Sequence, residues 1–113
     1  MYELDHVAIE AQDIPATAQH YIDHYGATVL YQDQTWAFLR VGQGKLALVT
    51  PGQHPPHVAF RVDYPTLESA AARAGKKIDQ HRDGTQGIYV DDPGGNVVEL
   101  ICYPAGGTIY ERK

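Results

Sequence analysis

Two histidines and one glutamate stand at matching places in the two halves of this 113-residue sequence. His6 lies in "LDHVAIEA" and His57 in "PPHVAFRV", and each stretch alternates in the manner of a β-strand. Glu99 lies among apolar neighbours in "NVVELICYP", where an unpartnered charge is costly. Two imidazoles and a carboxylate suit a divalent first-row metal and leave coordination positions open for substrate. We therefore predict a metal site formed by His6, His57 and Glu99.

These residues belong to two copies of one β-α-β-β-β pattern. Alternating apolar residues predict strands at 4–11, 27–32, 35–41 and 45–51 in the first copy and at 57–62, 77–81, 87–92 and 96–104 in the second. His6 corresponds to His57, and Ala47 occupies the place in the first copy that Glu99 occupies in the second. We predict one α+β domain over 1–113, in which the modules form a curved mixed sheet around a cavity, with the helices outside. Module one is 1–51, the linker is 52–56, module two is 57–104 and the C-terminal tail is 105–113.

An amphipathic helix is predicted after the first strand of each copy. Each has a proline in its first turn, Pro15 or Pro65, and each ends near a glycine, Gly26 or Gly75. Helical spacing indicates that one face of the first helix packs on the sheet. That face consists of Ile14, Ala18, Ile22 and Tyr25, with Tyr21 beside them.

Strand alternation also indicates which side chains share the face of the predicted metal ligands. Arg40 and Tyr89 are the candidate catalytic residues on this face. Arg40 either binds a carboxylate or phosphate of the substrate or is exposed at a strand edge. Tyr89 either donates its hydroxyl group to a metal-bound oxygen or simply packs. The predicted lining of the substrate cavity is Trp36, Phe38, Val49 and Ile101.

The sequence resembles the vicinal oxygen chelate superfamily over essentially its whole length. The resemblance lies in "LDHVAIEAQDIPATAQHYID", "PPHVAFRV" and "GIYVDDPGGNVVELI", the last being close to the family's aromatic-x-x-Asp-Pro-x-Gly-x-x-x-Glu-Leu ending. The superfamily includes glyoxalase I, fosfomycin-resistance thiol transferases, extradiol dioxygenases, methylmalonyl-CoA epimerase and bleomycin-resistance proteins. The resemblance implies the glyoxalase-like fold, and it implies that His6, His57 and Glu99 are metal ligands.

One position departs from the pattern of glyoxalase I. Where that enzyme has a further glutamate of the metal and acid–base machinery, this sequence has Ala47. We therefore do not expect a glyoxalase I, whereas fosfomycin-resistance enzymes and extradiol dioxygenases have the same set of two histidines and one glutamate. A catalytic base would have to come from Tyr89, from a metal-bound hydroxide or from the substrate itself.

The other histidines and the cysteine have simpler interpretations. His20 and His24 are four residues apart on the first helix, a spacing that can bind a metal, but they lie away from its apolar face and are expected in solvent. His54 lies in the proline-rich linker, and the loop after His81 could cover the site. Cys102 is expected to be a small buried hydrophobic residue.

The composition limits the classes of partner. With 9 basic and 14 acidic residues the formal net charge is −5, which argues against nucleic acid or an anionic membrane as a partner. A single cysteine excludes an intrachain disulfide, and the first residues do not resemble a signal peptide. We expect a cytoplasmic protein, and the resemblance implies a homodimer.

The favoured function is that of a divalent-metal-dependent lyase, isomerase or thiol transferase. Its metal, Fe, Mn, Ni or Zn, would bind a small substrate through two adjacent oxygens and act as a Lewis acid. One alternative is an extradiol-type dioxygenase with ferrous iron. Another is a metal-free protein that binds a drug or metabolite, in which the three polar residues form a hydrogen-bonded cluster and Trp36, Phe38 and Tyr89 stack on a flat ligand.

Overall fold

A computed structural model of the chain describes residues 2–108. Within this range there are two helices, α1 (Ile14–Tyr25) and α2 (Tyr64–Ala74). The strands are β1 (Glu3–Glu10), β2 (Thr28–Gln32), β3 (Trp36–Val41), β4 (Gly44–Val49), β5 (His57–Arg61), β6 (Asp79–Gln80), β7 (Gln86–Asp91) and β8 (Val97–Cys102). The order β-α-β-β-β occurs twice, which confirms the predicted α+β fold. Of the predicted C-terminal tail, 109–113 lies outside the described residues.

The strands of the described residues form a mixed sheet in the order β2-β3-β4-β1-β5-β8-β7-β6. β1 and β4 are parallel, with Val7 opposite Leu46 and Ala8 opposite Ala47. The β2–β3, β3–β4, β6–β7 and β7–β8 pairs are antiparallel. A parallel pair needs a crossover connection, and α1 followed by β2 and β3 provides it for β1 and β4.

All eight predicted strands are found with their ends within one or two residues, but the sixth is reduced to two residues in length. β6 covers only Asp79–Gln80, whereas a strand over 77–81 was expected. The chain leaves β6 at His81, whose N–H donates to Thr85 O at 2.9 Å and so closes a turn. β6 is also the last strand in the sheet order, and a short edge strand limits unwanted pairing with other chains.

The chain divides into two compact units. Among the described residues, the first unit is Asp5–Val58, and the second comprises 2–4 and 59–108. In the first unit, α1 packs on β3 and β4 through a core of Ala11, Ile14, Ala18, Ala27, Ala37, Leu39 and Leu48. Leu39 and Leu48 are fully buried, and burial of each such side chain contributes about 1.5–3 kcal/mol.

The predicted apolar face of α1 is correct except at its last residue. Ile14 and Ala18 are buried, and Tyr21 and Ile22 pack against the core. Tyr25 is wrong as a core residue, because 61% of its surface is exposed. Helix α1 ends there, and the left-handed Gly26 turns the chain so that Ala27 enters the core instead.

The second unit has its own core between α2 and strands β7 and β8. It consists of Val62, Leu67, Ala70, Ala71, Ile88 and Cys102, so Cys102 is buried as predicted. Both helices begin with an aspartate cap and a proline: Asp13 accepts from Ala16 N–H at 3.0 Å, and Asp63 from Thr66 N–H at 2.9 Å. Within 2–108, neither helix has the length and apolar character that crossing a bilayer requires.

Candidate metal centre

His6 is a buried residue of β1 whose ring is held by a neighbouring carboxylate. The Nδ1 atom of His6 lies 2.6 Å from Asp5 Oδ2. The other carboxylate oxygen, Asp5 Oδ1, accepts from Lys45 Nζ at 3.0 Å. Because an ionised carboxylate has acceptors only, the His6 Nδ1 atom carries the hydrogen of this bond.

His57 is the first residue of β5 and is also buried. Its Nδ1 atom donates to the backbone carbonyl oxygen of Pro55 at 2.7 Å, since a carbonyl can only accept. Its ring centroid lies 5.4 Å from that of His6, with the two rings at 72°. In the neutral form, both imidazoles therefore keep a lone pair on Nε2, the form in which histidine binds a metal.

Glu99 is a buried residue of β8 in the second unit, 3% exposed. It lies opposite Tyr89 of β7 in the strand register. Gly87, two residues before Tyr89, leaves room for the carboxylate, because a Cβ at this position would lie 3.2 Å from Glu99 Oε2. The Glu99 side chain therefore fits at this position because Gly87 on the adjacent strand has no side chain.

His81 lies beside Glu99 in the same unit. Its Nε2 atom is 3.8 Å from Glu99 Oε2, and its Nδ1 atom is 2.8 Å from Thr85 Oγ1. The Thr85 hydroxyl donates to Asp83 Oδ1 at 2.7 Å, so the His81 Nδ1 atom must donate to Thr85 Oγ1. The loop after His81 thus fixes the orientation of its ring, and Nε2 faces the carboxylate.

Tyr89 is surrounded by groups that keep its hydroxyl group protonated. Burial raises the pKa of Tyr89 well above its usual value of 10, and the negative charges of Glu99 and Asp79 raise it further. At neutral pH the phenol can therefore donate a hydrogen bond, but it is not the phenolate that would act as a base. Of the roles predicted for Tyr89, donation of a hydrogen bond and packing therefore remain, and the role of catalytic base does not.

The three predicted ligands are close together. One ligand atom from each of His6, His57 and Glu99 lies within 4.8 Å of the others, and all three residues are buried. The donor set fits a divalent first-row metal, because it consists of two imidazoles and one carboxylate, and three protein ligands leave positions open. The hydrogen bonds at both Nδ1 atoms favour metal binding through Nε2.

The predicted cavity residues of the first unit lie on the His6 face of β3 and β4. Phe38 is buried, and its ring meets that of His6 edge to face, with centroids 5.4 Å apart. Trp36 is partly exposed, with its ring 5.9 Å from Phe38, and it pairs with the buried Val49. Arg40 is half-buried opposite Lys45. In the second unit, Ile101 is buried two residues after Glu99.

The remaining histidines differ from these ligands because each of them is exposed. His20 and His24 are on the surface of α1 with their rings stacked at 4.3 Å, and His54 is exposed in the linker. Burial raises the pKa of the Cys102 thiol, which fits a packing role rather than a reactive one.

Two residues beside His6 were missed by sequence reasoning. Asp5 precedes His6 directly, and alternation in a strand would point it to the opposite face. Lys45 is the residue before Leu46, which pairs with Val7. Only the parallel register of β1 and β4 brings Lys45 next to Asp5, and that register cannot be derived from alternation alone.

Several solved structures share this fold. Methylmalonyl-CoA epimerase from Mycobacterium tuberculosis matches with a TM-score of 0.74 and 19% identity, over 91% of this chain and 89% of that chain. A hypothetical protein from Bacillus halodurans C-125 matches with a TM-score of 0.74 and 17% identity, over 91% and 95%. A variant of homoprotocatechuate 2,3-dioxygenase from B. fuscum matches with a TM-score of 0.67 and 21% identity, over 93% of this chain but only 32% of that chain.

No protein-family model and no curated protein sequence matches the chain. The epimerase and the dioxygenase both belong to the vicinal oxygen chelate superfamily. The structural likeness confirms that this chain has the fold of that superfamily.

Proposed function

We propose that this chain is a divalent-metal-dependent enzyme that binds a small substrate through two neighbouring oxygen atoms. The observation that carries the proposal is the convergence of three buried ligand atoms, from His6, His57 and Glu99, within 4.8 Å of one another. Iron, manganese, nickel or zinc accepts such a set of nitrogen and oxygen ligands. When bound, the metal would orient the two substrate oxygens and stabilise negative charge that develops on them.

The reaction class favoured is isomerisation or elimination that begins with removal of a proton next to a carbonyl group. Three observations support this class. Methylmalonyl-CoA epimerase in complex with methylmalonyl-CoA and NH4+ has this fold, with a TM-score of 0.73 and 18% identity over 96% of this chain and 99% of that chain. The raised pKa of Tyr89 keeps its hydroxyl group protonated at neutral pH, so that it can donate a hydrogen bond to a substrate oxygen. His81 beside Glu99 offers an imidazole that can accept a proton. Ala47 offers no carboxylate that could accept it.

Other residues would select the substrate. Arg40 carries a guanidinium group that suits a carboxylate or phosphate, and it lies opposite Lys45 at one end of the β3–β4 hairpin. Trp36 and Phe38 precede Arg40 on the same strand, β3, and offer apolar surface for the substrate. Together they favour a substrate with an anionic group and an apolar part, of which an acyl-CoA thioester or a small oxo acid is an example.

Hydrogen–deuterium exchange at the carbon next to the carbonyl group tests this proposal. Metal-loaded protein would be incubated in D₂O with methylmalonyl-CoA and a panel of small 2-oxo and 2-hydroxy acids, and deuterium uptake would be followed by mass spectrometry. We expect metal-dependent exchange with at least one substrate, lost in Glu99→Ala and retained in His54→Ala. Tight ligand binding without metal and without exchange would instead support a binding protein and contradict the proposal.

A second candidate is a ring-cleaving dioxygenase. The specific observation in its favour is the set of two histidines and one carboxylate, which is the ligand set of many non-haem Fe(II) oxygenases. The fold of homoprotocatechuate 2,3-dioxygenase is similar as well. Anaerobic loading with Fe(II), followed by addition of a catechol and air, would give a coloured ring-opened product with consumption of oxygen. Absence of oxygen uptake with the iron-loaded protein would exclude this candidate.

A further inference from the structure

We propose that Asp5, held in place by Lys45, is the positioning residue that makes His6 a metal ligand through Nε2. The proposal rests on the proposed function, since it concerns how the metal site is prepared. Asp5 is buried, and only 2% of its side chain is exposed. Its two oxygens have different partners: Oδ2 accepts from His6 Nδ1 at 2.6 Å, and Oδ1 from Lys45 Nζ at 3.0 Å.

The two contacts of Asp5 define the orientation of the His6 ring. Lys45 supplies a positive charge next to the buried Asp5 carboxylate, and an opposite charge lowers the free-energy cost of burying it. The same Lys45 ammonium lies 5.4 Å from the centroid of Phe38, and Phe38 meets His6 edge to face. The imidazole is therefore held by a charge-assisted hydrogen bond on one side and by an aromatic ring on another.

The second module positions its histidine differently. The residue before His57 is Pro56, which has no polar side chain, and the Nδ1 atom of His57 donates to the backbone carbonyl of Pro55. The tautomer of His57 is thus set by the main chain, whereas the tautomer of His6 depends on the side chain of Asp5. A substitution at Asp5 should consequently change His6 and leave His57 unchanged, which makes His57 an internal control.

Nitrogen-15 NMR of the metal-free protein tests the positioning role directly. With both imidazoles neutral, we expect His6 and His57 to carry hydrogen on Nδ1. In Asp5→Asn the His6 signals should move towards the other tautomer, while those of His57 remain. Asp13→Asn makes the same change of charge at a helix cap, where asparagine serves as well as aspartate, and should alter neither. A wild-type His6 with hydrogen on Nε2 would overturn the proposal without any variant.

Metal affinity provides the second readout. The exposed His20 and His24 pair could bind metal adventitiously, so every variant would be made in a His20→Asn, His24→Asn background. Removal of a carboxylate that orients a metal-bound histidine typically lowers affinity about 10–100-fold. We expect a loss of this size in Asp5→Asn and no change in Asp13→Asn.

The two readouts separate the failure of this inference from the failure of the proposed function. If the His6 tautomer depends on Asp5 but the background protein binds no metal, the positioning role stands and the metal-dependent function is wrong. If the background protein binds metal and Asp5→Asn changes neither the tautomer nor the affinity, the positioning role is wrong and the metal site stands.

Discussion

At the scale of single residues, the candidate centre depends on how buried polar groups are paired. The partners of Asp5 include a cation and an imidazole, and His57 donates to a main-chain carbonyl. Glu99 is accommodated where Gly87 has no side chain. The hydrogen bonds of Asp5, His6 and His57 compensate for the removal of these groups from water, because a buried polar atom without a partner is costly.

Replacement of Lys45 by methionine should lower the stability of the metal-free protein. The change removes the ammonium group that neutralises the buried Asp5 carboxylate. We expect a loss of about 1–3 kcal/mol, below the value for a fully buried pair because Lys45 is itself partly exposed. Urea denaturation measures it, with Lys77→Met on the exposed surface as the control. Equal stabilities of the two variants would contradict the role of Lys45.

The candidate ligands could be predicted from residue type and strand alternation alone. His6, His57 and Glu99 are polar residues within apolar strands, and that contrast is visible in the sequence. Asp5 and Lys45 could not be predicted, since their contact joins residues forty positions apart and depends on the strand register. The position of His81 beside Glu99 depends on a turn that Thr85 and Asp83 hold through their hydrogen bonds. The sequence pattern does not specify that turn.

At the scale of elements, two turns keep the strands of the site in position, and so does the close pairing of β7 with β8 at Gly87. Asp33 between β2 and β3 accepts from Tyr31 Oη at 2.6 Å, from Thr35 N–H at 2.8 Å and from Trp36 N–H at 3.0 Å. Asp92 between β7 and β8 accepts from Gly94 N–H and Asn96 N–H, each at 2.8 Å. These hydrogen bonds close the hairpins that carry Trp36 and Tyr89.

Substitution of Gly87 by alanine should disturb both the sheet and Glu99. An added Cβ would lie 2.8 Å from Leu100 O and 3.2 Å from Glu99 Oε2, so β7 and β8 must move apart. We expect a loss of stability of about 1–3 kcal/mol, together with weaker metal binding. Gly44→Ala is the matched control in β4, because its Cβ would meet only Val41 O at 3.6 Å. Thermal unfolding and metal titration of both variants would show whether the effect is specific to Gly87.

The pH dependence of stability should contain a contribution from Asp33. The hydrogen bond from Tyr31, followed by that from the backbone of Thr35, lowers the pKa of Asp33 below its usual 3.8. Because the folded-state pKa is the lower one, the ionised carboxylate stabilises the folded state above about pH 4, and this contribution is lost as the pH falls below that value. Asp33→Asn should therefore be less stable than wild type at neutral pH, and the difference should shrink in acid. A difference that is constant with pH would contradict this account.

The helices and most strands could be predicted because their signals are local. Aspartate caps, prolines and glycines mark both helices, and alternation marks the strands. The sixth strand was predicted, but its shortening to two residues was not, since its end depends on a turn that is closed by hydrogen bonds between His81 and Thr85. Tyr25 fits the helical period but lies at the end of α1, where the sheet no longer covers it.

At the scale of the whole molecule, the repeated module accounts for the doubled histidine segment. Each copy begins with a strand that carries one histidine, and the symmetry ends where Ala47 in β4 corresponds to Glu99 in β8. The repeat predicted the fold, which the solved structures of other proteins share. It does not predict the reaction, because reaction type depends on a few side chains that differ among proteins with this fold.

Association into a homodimer stays a prediction. Light scattering coupled to size-exclusion chromatography would measure the mass in solution, and we expect twice the 12.5 kDa of one chain. A mass of one chain across the concentration range of the metal-binding experiments would show that dimerisation is not needed for the site.

Metal binding should stabilise the folded chain. A ligand that binds only the folded state adds about 2.7 kcal/mol at a free concentration of 100 times its Kd. We expect the melting temperature to rise on addition of Mn²⁺, Zn²⁺ or Ni²⁺ and to return when a chelator is added. His57→Ala should show no such shift, whereas the exposed His54→Ala should behave like wild type.

Equilibrium dialysis with elemental analysis tests the central claim most directly. The background protein lacking His20 and His24 would be compared with single substitutions to alanine at His6, His57 and Glu99. We predict one metal ion per chain in the background protein and a loss of affinity of at least about 100-fold in each of the three variants, since each removes one of three ligands. Absence of bound metal in the background protein, or full retention of metal in any one of the three variants, would contradict a site formed by these residues.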